Sequence, residues 1–418
     1  MGLDTTPDRT THRGSHRRRT ARSTRVSTDP TLADVRPRLG ALVDELSTAG
    51  AIRTPRWAEV FASVPRHPFV PRWYSQETND RGLTVWRLHS AAEDRDAWLA
   101  AVYSDQTLVT ALDPETAEQV DEHAWTGVPT SSGTMPSLLA GMVEELLVHD
   151  GHRVWDVGTG TGYLTALLCS RVGADLVYSS DVDPQLVDAA RGRLAQLGYE
   201  PHLAACDARD GHPGPDDVQF DRTIATCSVP AIPQAWIEQT RPGGLIVTDI
   251  ALGIEGGLVR VRVDKEHASG AFTITGGRFM AARGNATTYP AKHRAPYASA
   301  VDTRRTDVTA ADIRAHYPFR LLLAFHFPAA ELVYSIDDDT GAMALQLQLP
   351  DGTWARTPLS GAQTVTYGGS PGLWQEVEEA WRWWNEQDRP TQDRFCYHRD
   401  ADGCAHVRHL PTRRRWAL

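Results

Sequence analysis

The chain has 418 residues, of which 41% are hydrophobic and 23% charged, and a formal net charge of −10. One hydrophobic core stops growing near roughly 300 residues, so this length predicts two or three packed units and excludes one small domain. No apolar run approaches the ~20 residues of a membrane span, and no secretion signal is predicted. Cys169, Cys206, Cys227, Cys396 and Cys404, an odd set, fit reduced thiols, so we expect a cytoplasmic protein.

Charge is distributed unevenly along the chain. Residues 1–30 hold seven arginines against three aspartates, a net charge of +4, so the rest of the chain carries −14. This stretch has almost no large apolar residue, which predicts a disordered basic tail, either a solvated extension or a tether for an acidic partner. The acidic remainder would repel a phosphate backbone, so we expect no nucleic-acid partner.

Helices are predicted at the start of the ordered chain. Apolar residues recur at helical spacing over residues 39–46 and 57–64, and prolines in the segment VPRHPFVP at residues 64–71 end the second helix. Residues 72–127 show no clear pattern, so no element is predicted there. A third amphipathic helix is predicted over residues 135–147.

Strands and helices alternate from residue 154 onwards. Buried strands are predicted at residues 154–157, 176–180, 202–205, 220–226 and 244–250, with helices between them and antiparallel edge strands at 258–263 and 271–275. Such alternation predicts an α/β fold with a parallel, doubly wound sheet. We therefore expect a basic tail (residues 1–30), a Rossmann-like unit with an N-terminal helical cap (31–284) and a C-terminal α+β accessory unit (285–418).

A glycine-rich turn follows the first of these strands. Gly158, Gly160 and Gly162 lie between the strand and a helix, so the backbone can approach a ligand at the carboxyl end of the sheet. A dinucleotide-binding turn would have a small residue where Tyr163 stands, so the turn favours S-adenosylmethionine, which has no pyrophosphate, over NAD.

Acidic residues stand at three successive strand ends. Asp156 precedes the glycine turn, Asp181 could accept hydrogen bonds from ribose hydroxyls, and Asp207 could accept one from an adenine amino group. Taken singly, Asp181 could be only a helix N-cap and Asp207 only a turn residue. The three acids together favour an S-adenosylmethionine site. The residues predicted to form it are Asp156, Gly158, Thr159, Gly160, Gly162, Tyr163, Asp181, Val182, Asp207, Ala208 and Thr226.

These motifs, with the VPRHPFVP segment and the turn at residues 240–244, resemble the protein-L-isoaspartate O-methyltransferases over about half the chain. The resemblance implies a class I methyltransferase fold, carboxyl O-methylation and S-adenosylhomocysteine as product. The Thr-Ile-Ser-x-Pro motif of that family corresponds to residues 129–135, where Gly133 replaces the proline. The resemblance therefore implies catalytic roles for Thr130 and for either Ser131 or Ser132, which lie over the methyl acceptor.

The C-terminal third and residues 225–233 resemble extended members of that family that are associated with the maturation of ribosomal peptides, namely lanthipeptides, graspetides and lasso peptides. This resemblance implies methylation of an aspartyl carboxylate in a precursor peptide, possibly a cyclised one, followed by aspartimide formation, with Ser228 near the substrate. Two alternatives stay open. One is isoaspartate repair of damaged proteins, and the other is a non-catalytic module that binds a precursor peptide.

Two further features lie near the C-terminus. On the predicted helix that carries Trp374, Trp381 and Trp384, Trp383 points about 100° away from its neighbours, so we expect it to be exposed and to bind substrate. The spacing of Cys396, His398, Cys404 and His406 would permit a zinc hairpin, but it matches no familiar finger, and no metal is predicted.

Overall fold

The computed structural model describes residues 30–79, 82–215, 218–284, 302–336 and 341–418. The predicted basic tail lies outside the described residues, apart from Pro30. None of the helices in the described ranges is long and apolar enough to cross a membrane.

The N-terminal cap consists of the two predicted helices, α1 (Leu32–Thr48) and α2 (Pro55–Ser63). A capping box between Thr31 and Asp34 starts α1, and Pro55 occupies the first turn of α2, where its missing N–H costs nothing. Their apolar stripes share one hydrophobic core with the first helix of the Rossmann-like unit. The cap is thereby fixed against the unit that carries the glycine turn.

The region without a predicted element forms an antiparallel sheet. Its elements are β1 (Arg72–Thr78), β2 (Thr84–Ser90), α3 (Arg95–Val102), β3 (Leu108–Leu112), β4 (Gln119–Asp121), β5 (Ala124–Trp125) and β6 (Pro129–Gly133). The strand order is β4-β5-β2-β1-β3-β6, which makes β6 an edge strand. Most side chains on both faces are only half-buried, so the sequence lacks the alternation that reveals a strand.

The central sheet confirms the predicted α/β alternation. Its elements are α4 (Pro136–Leu146), β7 (Val154–Val157), α5 (Tyr163–Val172), β8 (Val177–Asp181), α6 (Pro184–Gln196), β9 (His202–Ala205), β10 (Phe220–Val229), α7 (Gln234–Gln239), β11 (Thr240–Ala251), β12 (Gly256–Asp264) and β13 (His267–Phe272). Strands β11-β10-β7-β8-β9 run parallel in that order, and β12 and β13 are antiparallel. The strand order reverses between β7 and β10, the position where open α/β sheets bind ligands.

The rest of the chain adds a second antiparallel sheet and then returns to the first. The second sheet and its helices are β14 (Asp302–Arg305), α8 (Ala310–Ala315), α9 (Tyr317–His326), β15 (Glu331–Ile336), β16 (Met343–Gln348), β17 (Trp354–Pro358), β18 (Thr364–Gly368) and α10 (Gly372–Glu386). The last strands, β19 (Phe395–Arg399), β20 (Ala405–His409) and β21 (Arg415–Ala417), extend the central sheet, because β19 pairs with β13. The division at residue 284 stays a prediction.

The predicted tryptophan face lies on α10, but the expected exposure of Trp383 is wrong. Trp374 and Trp384 are fully buried, as expected. Trp383 is half-buried, with its ring edge-on to His409 at 5.1 Å and to Trp416 at 5.5 Å between centroids. The unpredicted strand β21 covers this side of the helix.

A buried arginine ties the helical cap to the edge of the antiparallel sheet. Arg66 has no exposed surface, and its Nη1 donates to the carbonyl oxygens of Val102 and Ser104 at 2.9 and 3.2 Å. Its Nη2 donates to those of Gln106, Gly133 and Thr134 at 3.1, 3.2 and 3.0 Å. Burial lowers the pKa of Arg66 to about 10, so the guanidinium stays charged at neutral pH.

We expect Arg66→Met to destabilise the fold strongly, because it removes the charged donor from five carbonyl groups, of which those of Val102 and Gly133 are buried. Each unsatisfied buried group costs about 1–3 kcal/mol, and partial relaxation leaves a net loss of at least about 3 kcal/mol. Urea denaturation measures the change. Arg56→Ala removes an exposed arginine paired only with Glu59, and it should cost less than about 0.5 kcal/mol. Equal stability of the two variants would contradict this role of Arg66.

Candidate active site

A cavity of about 390 Å³ lies at the carboxyl ends of β7, β8 and β10. Gly158 and Gly160 line it with left-handed φ angles of 93° and 51°, which other residues rarely adopt. A Cβ on Gly158 would lie 3.0 Å from Oγ1 of Thr226, whose hydroxyl donates to the Gly158 carbonyl oxygen. The turn is thus held in place while its backbone stays open to a ligand.

Asp181 lies at the end of β8, beside the glycine turn. Its Oδ2 accepts a hydrogen bond from the Gly160 N–H at 2.8 Å and its Oδ1 accepts one from the Asp183 N–H at 3.1 Å. Burial is the largest cause of the raised pKa of Asp181. The N-cap of α6 is Asp183, so Asp181 does not have the local capping role that the sequence left open.

Asp207 lines the same cavity just after β9. It accepts from the Arg209 N–H, as the turn role predicts, and both carboxylate oxygens also accept from the Arg209 guanidinium, at 3.0 Å for Oδ1 and 3.1 Å for Oδ2 from Nε. Hydrogen bonds from Arg209 lower the pKa of Asp207. The two acids therefore lie at neighbouring strand ends of one cavity.

The predicted cofactor residues divide into two sets. Those that line the cavity are Gly158, Gly160, Asp181, Val182, Asp207, Ala208 and Thr226, whereas Asp156, Thr159, Gly162 and Tyr163 do not line it. Asp156 is fully buried, and its Oδ2 accepts from the hydroxyls of Thr165 and Ser179 at 2.7 and 3.1 Å. Burial raises the pKa of Asp156 to about 7. Through these two hydrogen bonds, Asp156 anchors β7 to α5 and β8.

The edge strand β6 forms the opposite wall of the cavity. Thr130, Ser131 and Ser132 all line it, as do Thr107 and Val109, which lie in or beside the neighbouring strand β3. The Ser131 side chain is buried and its oxygen accepts from the Thr110 hydroxyl at 3.1 Å, whereas Ser132 is half-buried. The structure thus brings all three predicted catalytic residues to the cavity, and the choice between the two serines stays open.

The third wall, residues 278–283, was missed by sequence reasoning. Ser228, predicted to contact substrate, is buried outside the cavity lining, and its backbone instead holds this segment. Its N–H donates to the Met280 carbonyl oxygen, and its carbonyl oxygen accepts from the Ala282 N–H. Arg278 and Arg283 line the cavity, and Arg283 donates to the Thr130 carbonyl oxygen at 3.4 Å. The only signal in the sequence was the apolar run 279–282 between these two arginines. Four residues are too few to show the periodicity of a helix or a strand.

A buried carboxylate connects this third wall to the C-terminal part of the chain. Glu255 accepts from Arg278 at 3.2 Å and from Nε of Arg320, in α9, at 2.8 Å. Glu255 is 6% exposed, so both arginines are held by a carboxylate largely removed from water. The position of Arg278 therefore depends on residues beyond 302.

The end of the cavity that β6 lines, where we expect the methyl acceptor, has no described side chain suited to remove a proton. We call it the acceptor end. Among its described lining residues, those of β3, β6, α4 and the 278–283 segment include no Asp, Glu, His or Lys. Burial raises the pKa of the nearby Cys227 thiol to about 12, so it stays protonated. Hydroxyl groups and two arginines are the polar side chains that line this end of the described cavity.

Two other predicted features lie away from this cavity. The structure does not bring Trp383 to its lining. On the β19–β20 hairpin, Cys396 lies opposite Arg408 rather than Cys404, while the rings of His398 and His406 stack at 4.8 Å. Within the described ranges, no cluster of three or more His, Cys, Asp or Glu side chains is placed to hold a metal ion.

Comparison with known proteins decides the family. The family model of protein-L-isoaspartate(D-aspartate) O-methyltransferases matches residues 115–283. A protein-L-isoaspartate O-methyltransferase of Parvibaculum lavamentivorans is 34% identical over 195 residues, which cover 44% of this chain and 78% of the relative. The chain belongs to the protein-L-isoaspartate O-methyltransferase family.

Another member of the family is similar over a comparable length. The protein-L-isoaspartate O-methyltransferase of Methanopyrus kandleri is 29% identical over 214 residues, which cover 50% of this chain and 75% of the relative. A solved structure of a protein-L-isoaspartate O-methyltransferase aligns with a TM-score of 0.49 and 19% identity, covering 88% of this chain and 98% of that one.

The protein is an S-adenosylmethionine-dependent carboxyl O-methyltransferase with the class I fold. Its cavity fits that cofactor, because the glycine turn brings backbone without a side chain to the cavity at Gly158, where a Cβ would meet Thr226, and the carboxylates of two aspartates line it. We propose that Asp181 binds the ribose hydroxyls and Asp207 the adenine amino group. The apolar Leu186 and Phe279 line the same cavity.

We expect Asp181→Ala to weaken S-adenosylmethionine binding by about 1.5–3 kcal/mol, roughly tenfold to hundredfold, because it removes a charge-assisted hydrogen bond. Titration calorimetry measures the affinity. The matched control is Asp183→Asn, two residues away, which keeps an N-cap side chain on α6 and should leave the affinity unchanged. Unchanged binding by the Asp181 variant would exclude Asp181 as a cofactor residue.

Proposed function

We propose that the enzyme methylates the free α-carboxylate of isoaspartyl residues in peptides and proteins. This proposal rests on one observation. Among the described residues, no side chain at the end of the cavity that would hold the methyl acceptor can act as a general base. A hydroxyl or amine acceptor would need a base to become nucleophilic, whereas a carboxylate with a pKa near about 4 is already ionised at neutral pH. The relatives named above support the isoaspartyl form of that acceptor.

The residues at the acceptor end act by positioning. S-adenosylmethionine supplies an electrophilic methyl group on sulfur, and S-adenosylhomocysteine is the product. Arg278 and Arg283 attract the acceptor carboxylate, and the hydroxyls of Thr130 and of Ser131 or Ser132 donate to one of its oxygens. The other oxygen would then face the methyl group and would receive it from the sulfur of the bound cofactor. Catalysis of this kind rests on proximity and on exclusion of water.

The neutral ester has a defined chemical fate outside the enzyme. The backbone nitrogen of the following residue attacks the ester carbonyl, methanol leaves with the displaced proton, and a five-membered succinimide remains. Hydrolysis of the succinimide gives aspartyl and isoaspartyl products. This sequence requires no further residue of the chain.

A second candidate is methylation of an L-aspartyl side chain in a dedicated precursor peptide, possibly a cyclised one, which would lead to an aspartimide. The salt bridges through Glu255 favour it, because they attach the acceptor wall at Arg278 to α9, beyond the residues that the family model matches. A cavity wall that is held by residues outside the region matched by the family model could fit a different peptide. We also propose a cytoplasmic location, which the five free cysteines support.

A pair of peptides that differ only in one residue tests the proposal. With the purified enzyme and S-adenosylmethionine, we expect mass spectrometry to show methylation of the peptide with an isoaspartyl residue and not of its L-aspartyl counterpart. Methylation of the L-aspartyl peptide alone would favour the second candidate. Methylation of neither peptide would overturn the isoaspartyl proposal.

We expect the methylation rate at saturating substrate to be nearly independent of pH between about 6 and 8, because the acceptor carboxylate stays ionised throughout this range. Initial rates across that range check the expectation. A tenfold rise per pH unit would instead indicate a titrating general base and contradict the carboxylate mechanism.

A further inference from the structure

Half-buried aromatic and aliphatic side chains of neighbouring strands lie in register with β6, the strand that carries Ser132. Ser132 of β6 is opposite Val109 of β3, Val109 is opposite Tyr74 of β1, and Tyr74 is opposite Leu88 of β2. Residues that are opposite each other in a sheet project from the same face. One row of side chains therefore runs from the cavity, which Ser132 and Val109 line, across four strands.

The next row widens this surface. Trp86 lies two residues before Leu88 and is opposite Trp125 of β5. The Trp125 ring lies edge-on to Tyr74 at 5.9 Å between centroids, and the Trp86 indole N–H donates to the Gly127 carbonyl oxygen. We call Tyr74, Trp86, Leu88 and Trp125 the aromatic face.

The aromatic face belongs to neither hydrophobic core of the described chain. Its four members are half-buried, and none of them packs into either core cluster. The opposite face of the same strands is occupied differently, since Trp73 packs against the N-terminal core and stacks on His89, and Arg87 pairs with Glu77. Large apolar side chains left half-exposed beside a reaction site are typical of a recognition surface.

We propose that the aromatic face binds an apolar or aromatic side chain of the peptide substrate, about four residues from the methylated one. This inference rests on the proposed peptide carboxyl methylation. Strands lie about 4.8 Å apart, so Leu88 lies roughly 14 Å from Ser132, and an extended peptide spans that distance in about four residues at about 3.3 Å each. The continuous row from the cavity favours a segment of the substrate as the occupant.

Three peptides and four enzyme forms, the wild type and three variants, test this proposal. The peptides share one acceptor residue and carry Ser at both flanking positions, Phe four residues before the acceptor, or Phe four residues after it. We expect the wild-type enzyme to show a KM about tenfold lower for one of the Phe peptides than for the Ser peptide, with a similar kcat. Tyr74→Ala and Leu88→Ala should remove this preference and leave the KM for S-adenosylmethionine unchanged.

His89→Ala is the matched control, because it changes the residue next to Leu88 but on the opposite face of β2. It should keep the preference for the Phe peptide, whereas a general disturbance of the sheet would affect all three variants alike. Equal KM values of the wild-type enzyme for all three peptides, or a preference that survives in both aromatic-face variants, would overturn this inference alone. Methylation of none of the peptides would overturn the proposed function and the inference with it.

A second copy of the chain is the competing occupant. Sedimentation velocity distinguishes the two cases. A wild-type dimer that becomes monomeric in Tyr74→Ala would show that the aromatic face is a subunit interface, and would overturn the peptide-binding proposal. A monomer that keeps the Phe preference supports it.

Discussion

The cavity wall that β6 forms depends on one buried cation. The guanidinium of Arg66 binds five backbone carbonyl oxygens, three of them around the turn after α3 and two at the end of β6. A charged group without exposed surface needs hydrogen-bond partners, and among the described residues the two terminal nitrogens of Arg66 have them whereas Nε has none. The carbonyl groups must therefore stay where they are. The helical cap, the antiparallel sheet and the strand with Thr130, Ser131 and Ser132 are therefore fixed relative to one another.

The cofactor-binding end of the cavity was predictable because the residues that form it lie close together in the sequence. Three glycines with positive φ, a strand before them and an acid at the end of the next strand are read from neighbouring residues. Gly158 shows why the residue type is dictated, since a side chain there would meet Thr226. The same locality made the alternation of strands and helices visible before the fold was known.

The acceptor end was predictable only in part, because its walls come from distant segments. Strands β1 to β5 were not predicted, because half-buried residues on both faces of the sheet, such as Tyr74 and Trp73, leave no alternation of apolar and polar residues in the sequence. The 278–283 segment joins the cavity through backbone hydrogen bonds with Ser228, which leave no sequence signature. Trp383 was misjudged because strand β21, which covers it, could not be foreseen from the helix alone.

The pairing of β19 with β13 has a consequence for the synthesis and folding of the protein. About 120 residues separate these paired strands, so the outer edge of β13 stays unpaired while the intervening chain is synthesised. Unpaired edges invite pairing with other chains, and contacts between distant segments form slowly. The ribosome adds only about 5–20 residues each second, so this edge is exposed for several seconds on every nascent chain. The central sheet becomes complete only after β19 to β21 have emerged, which makes an interrupted synthesis a source of aggregation-prone fragments.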